Sequence, residues 1–146
     1  MVFLRDEGSA FEAPIESVWG FLDDPDAHTR AHEHTDVARE RTGPDTGTYS
    51  WTQPFDGEPA AFAMRWRSYY PLGIAYEVLA GPFEGSRFFL YYTPLGDRTG
   101  VSVVGDFRSP TLPDAALPRA VERFFAREFE QDHAAIRSRG DPRTPG

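Results

Sequence analysis

Three histidines, His28, His32 and His34, crowd the stretch HTRAHEHTD, with Glu33 and Asp36 among them. His28 and His32 stand one helical turn apart, a spacing that lets two imidazoles meet one ion, and a zinc site needs about three such ligands with bonds of ~2.0–2.1 Å. The stretch is not an HExxH motif, and the chain passes from helix to strand between His32 and His34. A solvated polar loop with acidic neighbours is the competing possibility and the one the pattern favours, so no metal is expected. Imidazole also titrates near neutrality, which makes His32 a candidate to move a proton at a cavity mouth.

A second constellation lies in residues 117–139, LPRAVERFFAREFEQDHAAIRSR. At 100° per residue, Leu117, Val121, Phe124, Phe125, Phe129, Ala135 and Ile136 form one apolar face, with Arg119, Arg123, Arg127 and Arg137 opposite. Glu128 and Asp132 project from the middle of that apolar face, where like charges repel and burial adds to the cost. As an acid and base pair they would serve a hydrolase, because burial and like charge split the pKa values of such a pair. Ion pairs with inward-tilting arginines, or projection through a gap at the open end of a sheet, are the structural alternatives and are favoured. In either case the surface under this helix must have room for polar atoms.

The elements that position these groups follow from turn signals. Residues 2–12 read as a strand. Pro14 opens a short amphipathic helix with Ile15, Val18, Trp19 and Leu22 on one face, Asp24-Pro25 stops it, and a second short helix covers 26–31. Six strands follow, at about 35–42, 47–54, 59–70, 73–80, 86–94 and 100–108, separated by Gly-, Pro- and Asp-rich turns that suit an antiparallel meander. Alternation puts Phe62, Met64 and Trp66 opposite Arg65 and Arg67, and Val101, Val103 and Phe107 opposite Ser102 and Asp106. Ile74, Tyr76 and Val78 share a face in the same way. In the strand 86–94, Leu90 and Tyr92 are assigned inward, which leaves Phe89 and Tyr91 outward as a possible partner or homodimer surface, although surface tyrosines are ordinary.

Composition narrows the function. The chain of 146 residues fits one domain over 1–140, and 141–146, with no apolar anchor, read as a flexible tail. A net charge of −8 disfavours nucleic acid and anionic membranes as partners, and there is no apolar run of membrane-spanning length. Absence of cysteine removes disulfides and thiolate chemistry and suits a cytoplasmic protein. All fifteen basic residues are arginine, so no lysine is present to form a Schiff base. No nucleophile elbow or phosphate loop occurs, and no cofactor is expected.

Two segments carry a family resemblance. FEAPIESVWGFLDD at 11–24 resembles the opening Ala-Pro and Val-Trp segment of the START-related (SRPBCC) superfamily, which includes birch-pollen-allergen-like proteins and polyketide cyclases, and PLGDRTGVSVVGDF at 94–107 is similar to its penultimate hairpin. The resemblance implies an α+β helix-grip fold: a curved seven-stranded antiparallel sheet around a long C-terminal helix, with two short helices after the first strand. It also implies an internal cavity for an apolar or amphipathic molecule such as a lipid, isoprenoid or polyketide. Combined with the alternation, that cavity would be lined by Phe62, Met64, Trp66, Tyr76, Val78, Tyr92, Val103, Phe107, Phe124 and Glu128. Binding or carriage without chemistry is the leading expectation. A cyclase or dehydratase is the second, with His32, Tyr76, Tyr92 and Glu128 as candidate catalytic groups, and a protein-binding module is the third. The family's cyclases use pocket arginines, whereas Arg65 and Arg67 here fall on the outward face.

Overall fold

A computed structural model describes residues 2–140; the tail 141–146 lies outside the described residues. Strand β1 (Val2–Phe11) leads into α1 (Ile15–Leu22) and α2 (Pro25–Ala31). Six strands follow, β2 (Thr35–Gly43), β3 (Thr46–Phe55), β4 (Glu58–Tyr69), β5 (Gly73–Ala80), β6 (Arg87–Leu95) and β7 (Arg98–Phe107), and α3 (Leu117–Gly140) ends the described chain. The strand limits fall within two residues of the expected ones, because each turn is marked chemically. Asp56 and Gly57, both at positive φ (51° and 82°), make the two-residue connection of the β3–β4 hairpin, where Phe55 pairs with Glu58.

All strand pairs are antiparallel and the sheet order is β1-β7-β6-β5-β4-β3-β2. Since β1 joins β7, the strands consecutive around the α1–α2 connection occupy opposite edges of the sheet. The two short helices must therefore cross from one edge to the other. Asp24 makes the crossing sharp: its carboxylate accepts the Ala27 N–H at 3.1 Å as the N-cap of α2, with Pro25 next in line. No helix among the described residues is long and apolar enough to cross a membrane.

Two apolar clusters form where the sheet meets the helices. One gathers Trp51, Phe62, Val78, Phe83, Phe88 and Phe107 around Leu117 and Val121 in the first half of α3. The other gathers Phe11, Val18, Trp19, Phe21, Ile74 and Tyr92 around Ile136 near its end. Phe11 stacks on Phe129 at 4.9 Å and the Glu12 N–H donates to His133 Nε2 at 3.1 Å, which ties β1 to α3. On the convex face Phe89 lies against Tyr91 and Tyr69, ring centroids 4.4 and 5.8 Å apart, and Tyr91 is 46% exposed.

Thr99, fully buried, donates its hydroxyl to the Ala13 carbonyl at 2.8 Å and so pins the β1–α1 corner to β7. Thr99→Val keeps the shape and removes the donor, leaving a buried carbonyl unsatisfied. A loss of about 1–3 kcal/mol in urea unfolding is expected, with Thr99→Ser close to wild type; equal stability of the Val and Ser variants would show that the bond contributes nothing.

Candidate functional site

Between the concave face of the sheet and α3 lies a cavity of about 860 Å³, within the size range of small-molecule sites. Period-2 alternation brings its walls together: Met64 and Trp66 from β4, Ile74 and Tyr76 from β5, Leu90 and Tyr92 from β6, and Val101, Val103 and Phe107 from β7. Helix α3 contributes Phe124, Phe125, Glu128, Phe129 and Asp132. Two residues assigned to the lining from alternation, Phe62 and Val78, lie elsewhere. They are 2% and 3% exposed, inside the first apolar cluster, where Phe62 packs between Trp51 and Phe124 at ring distances of 5.2 and 6.0 Å. They point to the correct side of the sheet, but at that end aromatic rings fill the space.

The acids of α3 have a partner, and it is not an arginine. His32, just past the end of α2 and 4% exposed, inserts its ring between them. Its Nε2 lies 2.7 Å from Asp132 Oδ1, while Nδ1 lies 3.0 Å from Glu128 Oε2 and 2.7 Å from Gln131 Oε1. The i, i+3, i+4 spacing of 128, 131 and 132 places all three side chains on one helix face, as a cradle for the ring. With a carboxylate at each nitrogen, the metal-free ring holds both protons. Burial opposes the charge, but the hydrogen bonds to Asp132 and Glu128, backed by their charges, push the His32 pKa up to about 10.

The other two histidines of this stretch, His28 and His34, are neutral. Burial and the adjacent His32 charge push His28 down to about 3 and His34 down to about 4. His34 is 8% exposed, so within the stretch expected to be a solvated loop His32 and His34 are interior, while Arg30, Glu33, Thr35 and Asp36 are exposed as expected. The His34 ring stacks on Trp51 at 4.8 Å and on His32 at 5.3 Å. Its Nδ1 is 2.9 Å from Tyr49 Oη, which is 3.1 Å from Thr29 Oγ1, and Arg39 donates to that Oγ1 at 2.9 Å. Glu33 and Asp36, on either side of His34, take left-handed φ values of 53° and 52°, and the β2–β3 register slips between Thr35 and Ala38. That kinked backbone lets His32 and His34 face one another although they are only two residues apart.

On the cavity wall, burial raises the Asp132 pKa against the lowering effect of His32. Burial also pushes both Tyr76 and Tyr92 upward, with the Asp132 charge adding to it, so both phenols stay protonated donors. Exposed Arg39 and Arg41 from β2, with Asp23 and Pro25 from the α1–α2 junction, line the cavity too and form an opening there. The Arg41 guanidinium lies over the Trp66 ring at 5.9 Å. Arg65 and Arg67 are exposed, and Arg65 pairs with Glu77 at 2.7 Å. The alternation Val37, Arg39, Arg41 in β2 was the available signal for the arginines at the opening. Gln131 and Tyr49 carried no signal, since their roles exist only across elements.

His32→Leu would leave Glu128 and Asp132 facing one another with no cation between them. Urea unfolding is expected to show a loss of roughly 3–5 kcal/mol. A triple variant with Glu128→Leu and Asp132→Leu added should regain most of it, since the desolvated charges go together. A loss no larger than a surface ion pair, under ~1 kcal/mol, would contradict the assigned role.

No protein-family model matches the sequence, and no curated protein matches it. Solved structures do. An aromatase/cyclase, Zhui, from Streptomyces sp. R1128 superposes with a TM-score of 0.80 at 17% identity, covering 97% of this chain and 98% of that one. A START superfamily protein from Mycobacterium smegmatis gives 0.73 at 14% identity over 92% and 97%, and Ara h 8.0201 gives 0.73 at 14% over 94% and 98%. At such identities the likeness speaks for the fold, and with the observed strand order and gripped helix it is sufficient for one conclusion: this chain has the START-related helix-grip fold.

Proposed function

We propose that the protein binds a small hydrophobic or amphipathic molecule in the cavity between the sheet and α3. The observation that supports this most directly is the cavity itself, about 860 Å³ with walls that are largely aromatic and aliphatic. Burying about 200 Å² of apolar ligand surface there would contribute on the order of 5 kcal/mol before association costs. Tyr76 and Tyr92, as neutral donors beside Asp132 and Glu128, would orient the ligand's polar atoms.

A cyclase- or dehydratase-type reaction is the second reading, favoured by the superposition on an aromatase/cyclase and by a raised carboxyl, Asp132, next to two protonated phenols. A phenol would donate to a ketone oxygen while a carboxylate accepted a proton from the neighbouring carbon. His32 is a poor proton shuttle in that scheme. Its ring is buried and both nitrogens are engaged, so its part would be to position the acids.

Titration with the neutral probe N-phenyl-1-naphthylamine should show one site per chain, read by probe emission and by quenching of the tryptophans, since Trp19, Trp51 and Trp66 all line the cavity. Leu90→Trp, which fills the cavity, should weaken the probe by about tenfold or more, ~1.4 kcal/mol. Unchanged affinity in that variant would place the probe elsewhere and remove the support for the cavity. Turnover of a poly-β-ketone mimic, lost in Tyr76→Phe, would favour the second reading over simple binding.

A further inference from the structure

His34 carries an unsatisfied atom. Its Nδ1 is engaged by Tyr49, but Nε2 is buried and makes no hydrogen bond of full geometry; the Gln53 amide acts on the ring from nearby, yet its oxygen is committed to Trp51 Nε1 at 2.7 Å. A buried orphan nitrogen is costly and calls for a partner. Close by are His32 and Glu128, and the ligand-capable atoms of His32, His34 and Glu128 lie within 4.8 Å of one another. The imidazolium arrangement answers for the two acids and leaves His34 unexplained.

We propose that His32 Nδ1, His34 Nε2 and Glu128 form a site for one divalent transition-metal ion of the zinc class. Both histidine ligands already have the outer support such a site requires. His32 holds Asp132 through its other nitrogen at 2.7 Å, the carboxylate–histidine arrangement that fixes tautomer and ring plane, and His34 is held through Nδ1 by the Tyr49 hydroxyl. The ring centroids of His32 and His34 are 5.3 Å apart, and two imidazoles on one tetrahedral ion with ~2.0–2.1 Å bonds stand roughly 5 Å apart. Charge agrees as well: one imidazolium against two carboxylates leaves a surplus negative charge, whereas a dication with two neutral imidazoles and the same acids balances. In forming the site the ion takes the place of the Nδ1 proton.

The Gln131 oxygen, now 2.7 Å from His32 Nδ1, must swing aside to admit the ion, and three protein ligands then leave a coordination position open. His34 and Glu128 both line the cavity, so that position faces it and would take water or an oxygen atom of a bound molecule. The ion itself does not depend on the cavity's being a ligand site. A second set, His28, His32 and Asp132, is also within reach of one ion. It leaves His34 Nε2 orphaned and uses the carboxylate that holds His32 in place, so the first set is assigned.

The test uses tag-free protein stripped with a chelator and desalted, titrated with zinc chloride by calorimetry and with cobalt chloride by visible absorption. One equivalent should bind, with the intense d–d bands of tetrahedral cobalt, and saturating zinc should raise the melting temperature. His34→Gln should weaken zinc at least a hundredfold and Tyr49→Phe about tenfold, while His28→Asn binds as wild type. Near-UV circular dichroism, sensitive to Trp51 beside His34, verifies that each variant is folded. Failure of the folded wild type to take up stoichiometric zinc overturns the site, and so does binding lost in His28→Asn but kept in His34→Gln.

Discussion

One buried cation joins the two ends of the structure that the chain does not join. Helix α2 has seven residues and buries none of them completely, so neither its length nor an apolar face can hold it in place. What fixes its far end is His32, whose ring is bound by Glu128, Gln131 and Asp132 of α3, about a hundred positions later. The contact spans the β2 edge of the sheet, while Phe11, Phe129 and His133 perform the corresponding task at the β1 edge. The helix is gripped from both sides, by aromatic stacking on one and by charge on the other. A hydrophobic replacement would hold the edges together as well, so the charge serves position more than stability.

The same contact accounts for the space beneath it. Along α3 the apolar residues divide into a first group ending at Phe125 and a second around Phe129 and Ile136, each with its own cluster on the sheet. Between them, Glu128 and Asp132 turn one side to His32 and the other to the cavity. Apolar rings cannot close over that second side without taking the remaining lone pairs out of reach of any donor. The wall opposite, from Met64 and Trp66 across to Leu90 and Val103, therefore stands off. Protein interiors otherwise pack to crystal density, and a volume of this size needs such a cause.

Local signals made the fold legible. Asp56-Gly57 and Asp24-Pro25 act through their own backbone preferences, and period-2 alternation sorted Arg65 and Arg67 from Trp66 with no knowledge of the rest. Alternation gives a face and not a depth, which is why Phe62 and Val78 share the side of Met64 and Trp66 yet lie in filled core. The two acids in the apolar stripe of the last helix were visible as a conflict, but the resolution was not. Inward-tilting arginines or a gap at the sheet's open end were the expected resolutions, and the partner is instead a histidine, because a flat ring on a short stem fits between two carboxylates one turn apart. The left-handed residues Glu33 and Asp36, which turn His34 beside His32, belong to no motif.

The electrostatic layout also constrains how an amphipathic molecule would lie in this cavity. With His32 as the only buried cation among the described residues, the inner wall carries surplus negative charge from Glu128 and Asp132, and two phenols that act as donors. A carboxylate or phosphate would be repelled there, more strongly than in water because the surroundings are apolar, whereas a carbonyl or hydroxyl could accept from Tyr76 or Tyr92. The guanidinium groups of Arg39 and Arg41 at the opening favour an anionic end at the surface. An ion held by His32, His34 and Glu128 would reverse the inner preference, because the wall would become neutral and present a vacant position for oxygen. The direction in which a ligand enters would then depend on whether His32 Nδ1 carries a proton or a metal.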